Sequence, residues 1–272
     1  MLEPNHDLHV HTYLSACCGD KENHRPAGIL AIAEEMGLDT VGFADHVWVN
    51  PDIEPTAWYA PQDETQIARL REDLSAVDSP VRVLVGCEAE TIAPGHFGIT
   101  PEFAASLDFV LLACSHFHMA GFVEQPPSHS PRDVGRHMLK FFRSAVESGL
   151  ATSIAHPFHP LGYFDERDAA VATLSDAELS DAFGLAAERG VALEITAGYL
   201  PAPEKPETAE KPRMSVETPL RFLALAKQAG CKFTFGTDAH EPDSQLLLPQ
   251  LKLFVDALEL TRDDILPLAL GA

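Results

Sequence analysis

The segment "HDLHVHT", residues 6–12, places Asp7, His9 and His11 at alternate positions of an apolar run. In an extended chain successive side chains point to opposite faces, so these three share one side. Three such groups on a short apolar segment meet either water or a metal ion. The same kind of ending returns along the chain as "FADH", "GCEAE", "SHFH", "IAHP" and "GTDAH". His9/His11, Glu88/Glu90, His116/His118 and Asp238/His240 are i, i+2 pairs at the ends of apolar runs, and His46 and His156 end two further runs singly. Burying so many imidazoles and carboxylates together is very unfavourable without cations or full pairing. A shared metal cluster is the economical reading. Mixed histidine and carboxylate donors suit zinc, iron or manganese, and the supply exceeds one tetrahedral ion, so two or three divalent ions are expected.

Seven β-like runs carry these residues: "DLHVH", "TVGFADH", "VRVLVGCEAE", "FVLLACSHFH", "TSIAHPF", "VALEIT" and "KFTFGTDAH". Segments of helical periodicity separate most of them. "PAGILAIAEEMG" has Pro26 for a first turn and Gly37 for a stop. Further examples are "DETQIARLREDLSAV", "PRDVGRHMLKFFRSAVESG", "LSDAELSDAFGLAAERG" and "VETPLRFLALAKQAG". Strand followed by helix, repeated, argues for parallel strands with helices outside. The near-continuous apolar character of the strands means that both faces are covered. Seven such units can close into a barrel. An open doubly wound sheet is the alternative, but no glycine-rich turn of the dinucleotide type follows the first strand. In a barrel the strand ends converge on one mouth, where barrel enzymes keep their chemistry. Three long loops, near 47–62, 119–130 and 198–215, follow strand ends and would rim that mouth as walls or lids. No repeat or low-complexity tract divides the chain, so residues 1–272 read as a single domain.

The formal charge of −22, from 41 acidic and 19 basic residues, repels a phosphodiester backbone, and long nucleic acid is not an expected partner. No basic start followed by an apolar run marks a secretory signal, and no apolar stretch approaches the roughly 20 residues of a membrane span. Five scattered cysteines without paired spacing fit a reducing cytoplasm.

In order and spacing, "DLHVHT", "FADH", "GCEAE", "SHFH", "AHP" and "GTDAH" resemble the PHP (polymerase and histidinol phosphatase) superfamily. "LEI" before a small-residue turn and "ETPLRFLALAKQAGCKFTFGTDAH" resemble its histidinol-phosphatase-like branch. The resemblance implies a distorted seven-stranded (β/α)7 TIM-like barrel of the PHP type holding up to three ions. By that analogy His9, His11, Glu88 and Asp238 form a first site, and Glu88 bridges to a second completed by His116 and His156. His46 and His240 belong to a third, with one further ligand. Many relatives carry a histidine six residues after the second histidine of the opening motif; here that position is Cys17. A Cys17 thiolate binds zinc well, and Asp20 or His24 are the alternatives.

The activity implied is hydrolysis of a phosphate monoester by water shared between two cations bridged by Glu88 and made acidic by them. The substrate is then a small phosphorylated molecule, with histidinol phosphate suggested by the nearest branch. His118 is the candidate acid or substrate contact, Arg132 a candidate for the leaving oxygen, and Asp7 and Asp45 orient neighbouring histidines. Glu90 reads as a wall residue, and His6, His96, His129 and His137 as surface or structural. No "GxSxG" or nucleophilic cysteine motif competes. Three other readings stay open: a phosphodiesterase or exonuclease on short nucleotides, metal-dependent C–N hydrolysis, and a metal-binding module without chemistry.

Overall fold

The computed structural model describes residues 2–201 and 213–271. The chain runs β1 (His6–Val10), α1 (Pro26–Glu35), β2 (Thr40–Phe43), α2 (Glu64–Ser75), β3 (Arg82–Ala93), β4 (His96–Phe97) and α3 (Pro101–Ala104). It continues through β5 (Phe109–Ala113), α4 (Pro131–Glu147), β6 (Ser153–Ala155), α5 (Arg167–Ala172), α6 (Asp176–Arg189) and β7 (Ala192–Thr196). Last come α7 (Glu217–Gln228), β8 (Phe233–Gly236), α8 (Pro242–Gln245) and α9 (Lys252–Ala257). Seven strands pair in parallel in the order β1-β2-β3-β5-β6-β7-β8, and β4 folds back antiparallel on β3. The result is the expected α/β barrel with helices outside, nearly closed.

Closure between β8 and β1 is made partly by side chains. At the mouth, His11 N–H donates to Ala239 O at 3.0 Å in ladder fashion. Deeper in, Phe235 N–H donates to His6 Nε2 at 2.9 Å and Thr237 N–H to Asp7 Oδ1 at 3.0 Å. Thr237 Oγ1 also donates to Asp7 Oδ2 at 2.5 Å. Buried backbone N–H groups need an acceptor, and on this seam His6 and Asp7 supply it.

Local sequence explains where the helices begin and end. Pro26 opens α1, and Gly37, at φ 70°, turns the chain just beyond it. Asp63 caps α2 by accepting Thr65 N–H, and Ser130 caps α4 by accepting Asp133 N–H. Ser175 and Glu178 form a capping box on α6, which Gly190 ends in the left-handed conformation. The apolar stripe of α4 buries Val134, Met138, Phe141, Phe142 and Ala145 against the barrel. Such a stripe is what a core-facing helix requires. Among the described residues no helix is long and apolar enough to cross a membrane.

Candidate metal centre

The strands stop short of most of the residues they deliver. His9, Glu88 and Glu90 lie within β1 and β3, where alternation governs direction. β1, β5, β6 and β8 end at Val10, Ala113, Ala155 and Gly236, so His11, His116, His156 and Asp238 lie one to three residues beyond. Two of these have left-handed backbones, His156 at φ 29° and Asp238 at φ 55°. Non-glycine residues are strained there, and such strain concentrates where side chains must be aimed. The pairs His116/His118 and Asp238/His240 are therefore placed by turns and not by strand alternation.

The donors fall into three groups, and within each the ligand atoms all lie within 4.8 Å of one another: His9, His11, Glu88 and Asp238; Glu88, His116 and His156; and His11, Cys17, His46 and His240. Glu88 sits between the first two groups. Its Oε2 lies 3.3 Å from His9 Nε2, 3.4 Å from His11 Nε2 and 3.4 Å from His46 Nδ1. Its Oε1 lies 2.9 Å from His156 Nε2 and 3.6 Å from His116 Nε2. Asp238 Oδ1 stands 3.4 Å from His9 Nε2 and 3.1 Å from His11 Nε2.

These separations suit a metal. Ligand atoms about 2.1 Å from one tetrahedral ion stand roughly 3.4 Å apart. His9 Nε2 is fully buried and has no hydrogen-bond partner among the described residues. Its other nitrogen, Nδ1, donates to Glu194 Oε1 at 2.7 Å. His116 repeats the arrangement, with Nδ1 donating to Glu90 Oε2 at 2.6 Å. A carboxylate on one ring nitrogen fixes the tautomer and leaves the other free to bind a cation. His156 Nδ1 meets Ser115 Oγ at 2.7 Å. His11 Nδ1 meets Ser15 Oγ at 3.2 Å, and that hydroxyl donates to Asp45 Oδ1 at 2.7 Å.

Several expectations change here. Asp7 orients no imidazole; its acceptor bonds go to His9 N–H at 3.1 Å and to Thr237, because its carboxylate closes the barrel. Asp45 reaches His11 only through Ser15. Glu90 is not a bare wall residue: it holds His116 and accepts Tyr59 OH at 3.0 Å. The sequence does not single out Glu194, yet it is the partner of His9. Its "LEIT" run carries one acidic residue on an otherwise apolar strand, which is the signal for a buried partner. Asp20 turns away to cap Asn23, and His24 Nε2 lies 3.2 Å from Ala239 O. Neither joins a donor group among the described residues, whereas Cys17 does. Arg132 is exposed in the first turn of α4 and is not among the described residues that line the cavity holding Glu88 and His240.

Charge in the cluster is strongly coupled. Burial works against ionisation of Glu88, but the imidazoles of His9, His46 and His116 outweigh it and hold the carboxyl well below its usual range. Asp238 is held down in the same way, chiefly by His9 and His11 against its own burial. His11 and His116 resist burial through their carboxylate partners and rise to about 9. His46 is driven down by burial, and His240 falls to about 4 from burial and the nearby His11. Burial, with Glu88 and Asp238 adding to it, pushes the Cys17 thiol up. The anionic carboxylates attract divalent cations, and the protons that His11 and His116 hold would have to leave as a cation binds.

A cavity of 170 Å³ is lined by Cys17, Glu88 and His240 together with Trp58, His118 and Met119. Trp58, from the stretch near 47–62, and Met119, from that near 119–130, both line this cavity. His118 is exposed, with its ring 5.3 Å from that of His116. Of the loop near 198–215, residues 202–212 lie outside the described residues.

Neither a family model nor a curated protein sequence matches the chain. Solved structures do. Histidinol phosphate phosphatase from Lactococcus lactis, solved with zinc, L-histidinol and phosphate, aligns over 95% of both chains at 15% identity with a TM-score of 0.56. An uncharacterized protein aligns over 95% of this chain and 71% of its own at 13% identity and a TM-score of 0.52. A chain described under the metal-dependent tyrosine phosphatases YwqE of Bacillus subtilis and CpsB of Streptococcus pneumoniae aligns over 95% of this chain and 89% of its own at 18% identity, with a TM-score of 0.48. The first two likenesses establish the fold.

Proposed function

We propose that this chain is a metal-dependent hydrolase acting on a small phosphate monoester at the barrel mouth. The observation carrying the reading is the sharing of donors: Glu88 belongs to two ligand groups and His11 to two, so adjacent ions would be held by common residues. His9, His11, Glu88 and Asp238 would hold one ion, Glu88, His116 and His156 a second, and Cys17, His46 and His240 with His11 a third. Bound there, divalent cations acidify water and neutralise phosphoryl oxygens, which lets so acidic a chain accept a small anion.

The residues themselves position and protect. Glu194 and Glu90 keep the rings of His9 and His116 in one tautomer and one orientation. Trp58 and Met119 narrow the cavity and limit the water that reaches it. His118, which lines the cavity, would give a proton to the departing oxygen or contact the substrate. Asp238 belongs to the first donor group and also lines the cavity, where it would accept a proton from the attacking water.

One preparation tests this reading. Elemental content per chain is set beside phosphate release from a panel that includes L-histidinol phosphate, before and after chelation. Two or three ions with chelator-sensitive release support the reading. Metal without phosphate release refutes the monoester assignment and transfers the test to phosphodiester and C–N substrates.

A further inference from the structure

Ser15 lies on the segment 12–19 that follows β1, and it is completely buried. Its hydroxyl has one proton, which goes to Asp45 Oδ1 at 2.7 Å. The same oxygen accepts His46 N–H at 3.2 Å and faces His11 Nδ1 at 3.2 Å. A hydroxyl that has given away its only proton can meet a ring nitrogen only as an acceptor. His11 Nδ1 therefore carries a proton, and Nε2 is the nitrogen turned to Glu88 and Asp238. Asp45 is itself held by Thr12, whose N–H and hydroxyl donate to it at 2.6 and 2.7 Å. The rest of the segment reaches the remaining members of the third donor group. Cys17 is one of them. Ser15 O accepts Cys18 N–H at 3.2 Å, and Cys18 Sγ and Gly19 N–H both donate to His240 O, at 3.3 and 3.1 Å. His11, Cys17, His46 and His240 are thus all carried or contacted by residues 12–19. The second group is held from elsewhere: His116 by Glu90, and His156 by Ser115 and Glu194.

We infer that Ser15 is a positioning residue for the metal centre: its one oxygen aims the His11 ring and fixes the His46 backbone, and the segment it anchors assembles the third donor group as a unit. The first and third groups depend on this hydroxyl, and the second does not. The inference rests on the proposed function for the ions and not for the reaction they serve. A partner on the far nitrogen of a ligating imidazole fixes tautomer and ring angle, and its loss lowers metal affinity. Alanine at this position frees the His11 ring to turn and leaves the buried His46 N–H without its acceptor. Asp45 loses one of its three donors but keeps Thr12, so the segment remains attached at its start.

Cobalt titration of the full chain reads the third group through the thiolate-to-metal charge-transfer band of Cys17. Ser15→Ala should raise the cobalt concentration at half-development of that band by about tenfold. Ser115→Ala removes a comparable buried hydroxyl from the second group and should leave that midpoint within about twofold of wild type. An unchanged midpoint in Ser15→Ala overturns the inference. Equal shifts in the two variants also overturn it, since they would report general loosening of the barrel. A second arm needs no variant: nitrogen-15 spectra of the zinc-loaded wild type should show His11 protonated at Nδ1 and metal-bound at Nε2. The reverse tautomer refutes the role of Ser15 whatever the variants do. A wild-type chain that takes up neither metal overturns this inference and the metal-dependent reading together. Phosphate release is scored apart: the expected cobalt shifts without any release leave Ser15 in its role and the phosphatase reading refuted.

Discussion

Glu194 accepts the Nδ1 proton of His9 at 2.7 Å, its carboxylate passing over Gly236 on the neighbouring strand β8. The pair exists because Gly236 has no side chain. A Cβ there would stand 2.0 Å from Glu194 Oε1 and 2.6 Å from His9 Cβ. The same carboxylate accepts His156 N–H at 2.7 Å through its other oxygen. One buried acid thus steadies a ring facing the first donor group and the strained backbone of a residue in the second.

Replacing this acid should weaken the centre without emptying the fold. Glu194→Gln is expected to lower metal affinity by about 10- to 100-fold, read by competition with a chromogenic chelator. Gly236→Ala should be worse on both counts, losing metal and about 1–3 kcal/mol of stability through overpacking. Unchanged metal affinity in Glu194→Gln would mean that His9 needs no partner to hold its tautomer.

Cys17 makes the third group softer than an all-nitrogen and oxygen set. Cobalt-loaded protein should show a thiolate-to-metal charge-transfer band that Cys17→Ser lacks. The variant should also hold one ion fewer per chain, while Cys17→His should restore the count without the band. A band that persists in Cys17→Ser would assign the thiolate to another cysteine.

Glu90 and Tyr59 offer a graded test of ring positioning. Tyr59→Phe removes one donor to Glu90 and should weaken the second group by about 0.5–1.5 kcal/mol. Glu90→Gln removes the charge that His116 faces and should weaken it further. If Tyr59→Phe has the larger effect, the tyrosine acts on the cavity wall and not through Glu90.

The seam between β8 and β1 gives a pH dependence of known sign. Burial lowers the His6 pKa to about 3. The unfolded chain takes up its proton below about 6.5, and the folded chain does so only near that lower value. Stability should therefore fall between those limits as pH drops, by about 1.4 kcal/mol per pH unit for this one proton. Asp7, raised by burial to about 6 against its Thr237 bonds, carries the opposite sign: its contribution is present below its unfolded value and lost as pH rises through 6. His6→Gln keeps an acceptor for Phe235 N–H without titrating, so metal-free denaturation of both proteins from pH 7 to 4 isolates His6. The variant's acid slope should be shallower by one proton; equal slopes would show that His6 protonates in the folded state. His6→Leu should instead cost about 1–3 kcal/mol at neutral pH by leaving a buried N–H unpaired.

Much was legible in the sequence by itself. The alternation of apolar strands with helical segments is a local property, set by side-chain periodicity, and it determined a parallel barrel with its mouth at the strand ends. The residue types at those ends, His9, His11, Glu88, His116, His156 and Asp238, determined that ligand chemistry would gather there, because convergence follows from the barrel alone. What only the tertiary structure decided are relationships between strands far apart in sequence. Glu194 reaches His9 from 185 positions away. Asp7, read from its own strand, belongs on the histidine face, yet the backbone of Thr237, 230 positions on, takes its carboxylate. Cys17, Asp20 and His24 share one loop and one set of chemical credentials. Folding turned Asp20 to Asn23 and His24 to Ala239, and left Cys17 beside His46. Periodicity states which way a side chain leaves its own strand; which partner it meets depends on the chain that packs opposite, and a buried polar group settles on whichever partner satisfies it.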